Sequence, residues 1–558
     1  MTSPTPALVS QRAAQRLPRV ALLLFCAAYL LPGLFGRDPW KSADVTAYGY
    51  MANIARGAAS WLAPTIAGAP GDGVLLPYWL GAAFIKLLPW VDPALAARIP
   101  FAMLLGATLV LTWYTTFHLA RTEAAQPVAF AFGGEADSVD YARAIADAAL
   151  LALIACLGLL QLGHETTPEL GQLAAASLFV YALAASPFRG IKPRLAVLVA
   201  LPALAACGAP AIAAGIGVVG ALVCARSGYD PVRRFVWWVL AATLCAAALA
   251  GALALWRWRL APPSDIEPLW STLRLLVWFT WPAWPLVLWT LWRWRHYVLK
   301  RHIAVPLGTA LVAVAACIAM GGSDRALMLA LPPLAVLAAF AMPTLQRSTG
   351  AAIDWFSVLL FTAVAATIWV IYLAMHVGVP AKPAANVMRL APGFQPQFSL
   401  VALAAAMLAT LAWAWLVRWR TARHRDPLWK SLVLPAAGVA LSWLLLMTLW
   451  LPLLDYARSY RPLIQRIAQH VPREACVSAA EVPRAQQAAL EVIGHWRVDG
   501  VTPPTASRCD YLLVVSQSRA AALPRDSWRL IAQVSRPTDR DEQTLIYRRV
   551  AADTAASK

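Results

Sequence analysis

Charged side chains are scarce in this chain of 558 residues: Asp, Glu, Lys and Arg make up 13% of it, whereas hydrophobic residues make up 60%. A water-soluble protein of this length needs far more polar surface. The sequence also lacks a Walker phosphate-binding loop, a dinucleotide-binding glycine pattern and zinc-type Cys/His spacing. An ordinary soluble protein is therefore excluded, and no nucleotide or zinc site is indicated.

Acidic residues are also outnumbered, because 47 Lys and Arg face 28 Asp and Glu, giving a formal net charge of +19. Such an excess could indicate a nucleic-acid partner. The basic residues, however, form short clusters between apolar runs and not one continuous stripe, which is typical of membrane-topology signals. We therefore expect membrane lipids, and no nucleic acid, as partners.

Apolar runs long enough, or nearly long enough, to cross ~30 Å of hydrocarbon recur along the chain. Together with 26 Trp and 41 Pro, they predict an all-α polytopic membrane protein of about thirteen transmembrane helices. The predicted spans are 20–35, 99–119, 146–161, 171–186, 195–208, 210–225, 235–255, 275–292, 303–320, 326–343, 354–375, 398–417 and 431–454.

The loops between these runs predict the orientation. The N-terminal segment 1–19 is basic and lacks a clear cleavage site after the run that follows it, so we interpret that run as a retained helix and not as a removed signal peptide. Most alternate loops are basic, as expected of cytoplasmic loops. The basic clusters are Arg189, Lys192 and Arg194; Arg226, Arg233 and Arg234; Arg293, Arg295, Lys300 and Arg301; and Arg418, Arg420, Arg423, Arg425 and Lys430. We predict a bacterial inner-membrane protein with a cytoplasmic N-terminus and a periplasmic C-terminus.

Two segments outside the membrane are too long to be simple turns. Within the predicted transmembrane domain 20–454, the first periplasmic loop spans 36–98 and includes an amphipathic piece, Pro77–Leu88. Residues 455–558 predict a small periplasmic α+β domain. Its expected elements are a helix at Ala488–Ile493 and strands at Tyr511–Val515, Trp528–Val534 and Thr544–Val550.

Of the eight cysteines, six lie in or beside apolar runs and are interpreted as small core residues. Cys476 and Cys509 stand apart in the predicted periplasmic domain. An oxidising compartment allows a disulfide between them, but two buried reduced thiols fit the sequence nearly as well.

The first periplasmic loop is the richest in polar side chains. Asp44 is flanked by cations, and a carboxylate there suits proton transfer from an acceptor hydroxyl or amine. The neighbouring candidates for binding an anionic substrate are Arg37, Lys41, Tyr48 and Arg56. The alternative is that Arg37 and Lys41 only extend towards the membrane interface and that Asp38 caps a turn. The sequence does not choose between these interpretations.

Further candidates lie in loops expected on the same side of the membrane. His164, Glu165 and Glu169 follow the third span and could contact a sugar, or form only a polar loop with Glu169 at a helix start. Arg325 could bind phosphate or merely pair with Asp324. Cations in an external loop are not needed for topology and are therefore candidates for an anionic ligand: Arg257, Arg259 and Arg274.

These motifs resemble a known family. Asp44-Val45-Thr46-Ala47-Tyr48, Trp61-Leu62-Ala63-Pro64, Gly68 and Leu76-Pro77-Tyr78-Trp79 resemble the first periplasmic loop of GT-C membrane glycosyltransferases, especially the aminoarabinose lipid A transferases and protein O-mannosyltransferases. Arg325 followed by Leu331-Pro332-Pro333-Leu334-Ala335 is similar to that family's Arg…Leu-Pro-x-x-Pro-Leu-Ala helix, with two residues missing between the prolines.

The resemblance implies a glycosyltransferase that uses a polyprenyl-phosphate-linked sugar and a periplasmic acceptor, such as lipid A, another glycan or a protein. It assigns catalysis to Asp44, and Arg37, Arg274 and Arg325 are the candidates for stabilising the leaving phosphate. Two departures argue against assuming lipid A as the acceptor. Val45 stands where the family usually has an acidic residue, and Leu75-Leu76 stands where aminoarabinose transferases have Glu-Lys.

Other functions stay open from the sequence. A transporter or lipid flippase would show internal repeats and ionisable residues at mid-membrane, and neither is evident. An oligosaccharide polymerase or ligase would be a transferase with a different site. No cofactor is required, while a divalent cation could bind the acidic cluster.

Overall fold

A computed structural model describes residues 5–256, 266–421, 427–515, 527–539 and 542–550. Arg257 and Arg259 lie outside the described residues. Helices dominate, as expected where hydrocarbon leaves the backbone no other hydrogen-bonding partner.

The helices are given in chain order. They are α1 (Arg19–Leu30), α2 (Ala43–Arg56), α3 (Leu76–Leu87), α4 (Pro93–Ala120), α5 (Ser138–Ala155), α6 (Leu157–Leu162), α7 (Pro168–Ala185), α8 (Ile191–Ala206), α9 (Pro210–Ala225), α10 (Asp230–Ala252), α11 (Ile266–Phe279), α12 (Ala283–Arg293), α13 (Arg301–Ala319), α14 (Asp324–Met328), α15 (Leu331–Ala339), α16 (Arg347–Val377), α17 (Ala381–Leu390), α18 (Leu400–Thr421), α19 (Val433–Leu449), α20 (Leu451–Arg458), α21 (Arg461–Ala468) and α22 (Arg484–Val492).

The strands are shorter and fewer. They are β1 (Thr65–Ile66), β2 (Ala69–Pro70), β3 (Cys476–Ser478), β4 (Arg497–Asp499), β5 (Tyr511–Val515), β6 (Trp528–Ser535) and β7 (Gln543–Arg549).

The chain is a multi-pass membrane protein, but the predicted count of thirteen spans is not confirmed. Within the described residues, eight helical segments are long and apolar enough to cross a membrane, or nine if α11 and α12, bent by 88° at their junction, form one broken span. Each predicted run does fall on helix. The difference arises because several runs form short helices: α1 has 12 residues, and at 1.5 Å per residue it reaches only about 18 Å.

The contacts divide the chain into two compact units. Unit 1 comprises Met1–Leu34, Phe101–Ile368 and Leu400–Thr448. In it, α7 packs on α8, α8 on α10, and α15 on both α5 and α12. The segment Asp324–Thr344 is largely buried, whereas Leu400–Arg420 is mostly exposed and presents apolar side chains outward. Burial thus separates the helices that form the core of this unit from those that face lipid.

Unit 2 comprises Phe35–Pro100, Trp369–Ser399 and Leu449–Lys558, so it joins the first loop with the C-terminal segment. Five strands form a mixed sheet of order β4-β3-β5-β7-β6, parallel from β4 to β5 and antiparallel from β5 to β6. The predicted C-terminal α+β domain is confirmed by this sheet and by α22. The predicted amphipathic piece at Pro77–Leu88 forms α3.

The apolar core of unit 2 contains side chains from both the first loop and the C-terminal segment. Val45 of α2 is fully buried in one cluster with Leu463, Ile467, Leu490 and Leu513. Cys476 and Cys509 form a disulfide, which ties the start of β3 to the segment preceding β5. The helix that carries Asp44 is therefore fixed on the C-terminal fold.

Candidate active site

Asp44 lies in the first turn of α2, where the helix dipole favours a negative charge. Its side chain is 1% exposed. Arg37 Nη1 donates to Asp44 Oδ2 at 3.1 Å, and the backbone N–H of Trp40 donates to the same oxygen at 3.0 Å. The carboxylate is thus oriented by two donors from the segment immediately before its helix.

Arg37 is buried beside it, which excludes the interpretation that this side chain only extends to an exposed interface. Its guanidinium carbon lies 4.7 Å from the centre of the Trp40 ring. Arg98 Nη2 donates to the Arg37 backbone carbonyl at 2.6 Å. Because a buried ion is costly unless paired and hydrogen-bonded, these contacts hold a charged pair in place.

Two further acidic residues, Asp38 and Asp455, lie beside this pair. Asp455 Oδ1 accepts from the Asp38 backbone N–H and from Trp40 Nε1, both at 2.9 Å. Burial, and then the neighbouring Asp38 carboxylate, raise the pKa of the Asp455 carboxyl. Burial alone would raise the pKa of Asp38 as well, but hydrogen bonds from Arg461 and Ser459 outweigh it and lower that pKa. Two nearby carboxyls therefore have pKa values shifted in opposite directions.

Asp38 does more than cap a turn. Arg461 binds it through two nitrogens, at 2.5 and 2.7 Å, and the Ser459 hydroxyl donates at 2.7 Å. Sequence reasoning missed Arg98, Asp455 and Arg461. For Asp455 the sequence did contain a signal, because this charged residue directly follows the apolar run Leu451–Leu454.

The other first-loop candidates have defined positions. Lys41 Nζ pairs with Asp539 at 3.0 Å and with Glu542 at 3.1 Å. Arg56 donates to Asn53 Oδ1 at 2.6 Å. Burial, with the Asp92 carboxylate adding to it, raises the pKa of the Tyr48 phenol to about 12. Tyr48 is therefore protonated at neutral pH and able to donate a hydrogen bond.

Unit 1 contains a second polar cluster, built by the loop before α7 and the start of α14. Arg325 Nη2 donates to Glu165 Oε2 at 2.6 Å, and its Nη1 lies 3.1 Å from Thr167 Oγ1 and 3.4 Å from Glu169 Oε2. Asp324 instead accepts from the Arg325 backbone N–H. The guanidinium thus pairs with the two glutamates that the sequence singled out, and not with Asp324.

His164 is held by backbone groups. Its two ring nitrogens lie 2.7 Å from the Leu160 carbonyl oxygen and 2.8 Å from the Tyr29 carbonyl oxygen. The imidazole also lies 4.6 Å from the Trp443 ring, centre to centre. These contacts fix His164 between α1, α6 and α19, beside the Glu165–Arg325 pair.

Arg274 lies on an exposed face of α11. It and the Glu165–Arg325 cluster belong to unit 1, whereas Asp44 belongs to unit 2. The expectation that these groups share one pocket stays a prediction. In the part of the chain that the structure describes, no three His, Cys, Asp or Glu side chains are arranged to hold a metal ion.

Solved structures supply a comparison for this architecture. Crystal structures of ArnT from Cupriavidus metallidurans, bound to undecaprenyl phosphate and in the apo state, each match with a TM-score of 0.59 at 13% identity. The matches cover 96% of this chain and 97% of the bound structure, and 95% and 98% for the apo structure. The chain shares the fold of ArnT.

The predicted resemblance to the aminoarabinose lipid A transferases is thus confirmed as a likeness of fold. An Archaeoglobus fulgidus oligosaccharyltransferase in the apo form matches with a TM-score of 0.40 at 12% identity, over 87% of this chain and 64% of that one. Both neighbours are GT-C enzymes. No protein-family model matches the sequence, and no curated protein does.

Proposed function

We propose that this chain is a membrane glycosyltransferase that moves a sugar from a polyprenyl-phosphate donor to an acceptor outside the cytoplasm. The buried Asp44–Arg37 pair carries this proposal, because it is a preorganised carboxylate in a chain with the ArnT fold. One of the ArnT structures contains undecaprenyl phosphate, which supports a lipid-phosphate donor here.

In the proposed reaction, an acceptor hydroxyl or amine attacks the anomeric carbon of the donor sugar. Asp44 accepts the proton that the nucleophile loses. The bond between the anomeric carbon and the phosphate oxygen breaks, and polyprenyl phosphate leaves with the bonding electrons. Arg37, Arg274 and Arg325 are the proposed sources of positive charge for the phosphate, with Lys41, Tyr48 and Arg56 as further binding groups from the first loop.

A lipid-linked donor also needs a place for its tail. Unit 1 has an apolar cavity of about 480 Å³ where α12 and α16 face each other, with Trp281, Leu286, Ile353, Phe356 and Phe361 in its walls. We assign it to isoprenoid units of the donor. His164, Glu165 and Glu169 are then proposed to serve the sugar end. The proposed chemistry does not require a divalent cation.

The test is mass spectrometry of envelope lipids, glycans and proteins from cells with and without this chain. The proposal predicts an acceptor whose mass increases by one sugar residue only when the chain is present. A change in the distribution of lipid-linked sugar across the membrane, with no glycosylated product, would instead establish a flippase. The same experiment decides whether the acceptor is lipid A, another glycan or a protein.

A further inference from the structure

A basic cavity lies in unit 1, and none of the residues assigned to sugar transfer lines it. It measures about 330 Å³ and is formed where the loop after α7 meets the first turns of α8 and α10. Three arginines line it: Arg189, Arg194 and Arg234. The one acidic residue in its wall, Asp230, is already paired with Arg233. Among the described residues, none of the three arginines forms an ion pair.

The two helices add to this positive charge. Both α8 and α10 begin at the cavity, and the positive end of a helix dipole lies at the N-terminus. No described side chain caps either N-terminus, and α8 has no acidic residue in its first turn. Basic side chains beside uncapped helix N-termini repel that dipole, so a bound anion would relieve the repulsion and accept from free backbone N–H groups.

The surroundings of the cavity indicate which anion. Ile191, Leu195 and Val199 follow one another at four-residue spacing on α8 and are all strongly exposed. On α10, Trp237 and Leu244 are also exposed, and Trp238 lies in the cavity wall. A charged cavity continuous with outward-facing apolar side chains matches a molecule with an anionic head and apolar chains.

One of the three arginines, Arg194, contacts an aromatic ring in the cavity wall. The Arg194 guanidinium carbon lies 5.6 Å from the centre of the Trp238 ring, which holds that side chain at the cavity. Trp is typical of the membrane interface, and guanidinium groups bind phosphate with two parallel hydrogen bonds. The alternation of basic loops places this cavity on the predicted cytoplasmic side, opposite to the proposed transfer site.

We propose that this cavity binds the phosphate of an anionic phospholipid, with the acyl chains lying along the exposed faces of α8 and α10. Basic pockets between transmembrane helices on that side of a membrane suit such head groups. The site is separate from sugar transfer, so its failure would leave the proposed function untouched.

The first measurement uses the unaltered protein, purified in detergent with equal amounts of phosphatidylglycerol and phosphatidylcholine. Native mass spectrometry should show at least one retained phosphatidylglycerol in clear excess over phosphatidylcholine. Equal retention of the two lipids would overturn the proposal. This arm does not depend on the folding of any variant.

The second measurement compares two triple variants with equal loss of charge. Arg189→Gln/Arg194→Gln/Arg234→Gln should reduce phosphatidylglycerol retention about tenfold or more. The control Arg293→Gln/Arg295→Gln/Lys300→Gln alters exposed residues in another predicted cytoplasmic segment and should stay within about twofold of the unaltered protein. Equal losses in both variants would show general surface attraction and refute a built site.

A third arm separates a lipid head group from a soluble anion. Phosphatidylglycerol in nanodiscs should raise the melting temperature of the unaltered protein above its value in phosphatidylcholine nanodiscs, and the cavity variant should lose this increase. Millimolar inorganic phosphate should not reproduce it. If phosphate alone gives the full increase, the cavity binds a soluble anion and the lipid proposal is wrong.

Discussion

Asp44 and Arg37 form an ion pair in which both side chains are almost fully buried, and their mutual dependence decides how variants should be designed. Removing one partner of a buried pair leaves an uncompensated charge and typically costs about 3–5 kcal/mol, whereas replacing both by well-packed apolar residues of similar volume is often neutral. A single substitution at Asp44 therefore combines a chemical effect with a folding effect. The double variant Arg37→Gln/Asp44→Asn separates the two.

The Lys41–Asp539 pair gives a prediction about acid stability. The hydrogen bond from Lys41, followed by that from Arg536, outweighs partial burial and lowers the pKa of Asp539 from 3.8 to about 2. The Asp539 carboxyl thus holds its proton less tightly in the folded state than in the unfolded state. The stabilisation is complete above about pH 4 and is lost as the pH falls to about 2. For a partly exposed pair, we expect about 1 kcal/mol or less.

The loss of this stabilisation at acid pH is tested by melting curves of Asp539→Asn and of the unaltered protein, recorded from pH 7 downward. The difference in melting temperature should be largest near neutral pH and shrink as the pH falls below about 4. Asp510→Asn is the control, because its exposed side chain makes no ion pair within the described ranges. A difference that is constant or grows at low pH would contradict the assigned pair.

Residue-level reasoning from the sequence found Asp44, Glu165 and Arg325 because each is a charge where the membrane makes charge costly. The sequence did not reveal which side chains pair with one another in the folded protein. Asp38 and Arg461 are 423 positions apart, and no local pattern connects them. Val45, which departs from the family motif, is explained only by its burial in the core of unit 2.

At the scale of elements, the close packing of α2 on α22 depends on Gly49. A Cβ atom at this position would lie 2.8 Å from Ala488 Cβ and 3.2 Å from Ile66 Cδ1. Larger side chains in a well-packed core typically cost about 1–3 kcal/mol. Gly49→Leu should therefore lower the free energy of unfolding by at least that amount and expose the C-terminal segment to protease.

The matched control is Gly228→Leu, since an added Cβ there meets nothing within 4 Å. Thermal unfolding and limited proteolysis compare the two variants. If Gly49→Leu were as stable and as resistant as Gly228→Leu, α2 would not pack on α22 in the way described.

Elements with strong local patterns were predictable. The strands β5, β6 and β7 and the helix α22 lie where the sequence predicted strands and a helix. The strands β3 and β4 were missed because three residues each are too few to show alternation, and each joins its neighbour in parallel across a long connection. Hydropathy did not show that Cys156 separates α5 from α6, and the predicted number of spans is not confirmed.

At the scale of the whole molecule, the orientation in the membrane is a prediction from basic loops. A periplasm-specific reporter fused after Val550 should be active, and a cytoplasmic reporter should not. Thiol labelling after denaturation without reductant gives an independent check. Because the Cys476–Cys509 disulfide persists only in an oxidising compartment, six of the eight cysteines should react. Eight reactive thiols and an active cytoplasmic reporter would reverse the orientation.

Assembly at this scale is the least predictable from sequence. Unit 2 is formed from three segments, which are separated along the chain by the 268 residues 101–368 and the 49 residues 400–448. Its core joins Val45 to Leu513, a pairing that depends on tertiary packing and not on any repeat or periodicity. The sequence predicted the apolar plan and the presence of a C-terminal domain, but not that the first loop is part of the same unit.

The most direct test of the central claim is sugar transfer by purified protein in vesicles supplied with lipid-linked sugar and envelope acceptors. Asp44→Asn and Arg37→Gln/Asp44→Asn should each lower transfer by at least about 10²-fold, as expected for loss of a general base. The double variant should recover part of the stability that the single variant loses, because it removes both charges of the buried pair. Asp510→Asn should transfer sugar normally. If a folded Asp44→Asn protein released polyprenyl phosphate and glycosylated its acceptor at the unaltered rate, Asp44 would have no part in the chemistry.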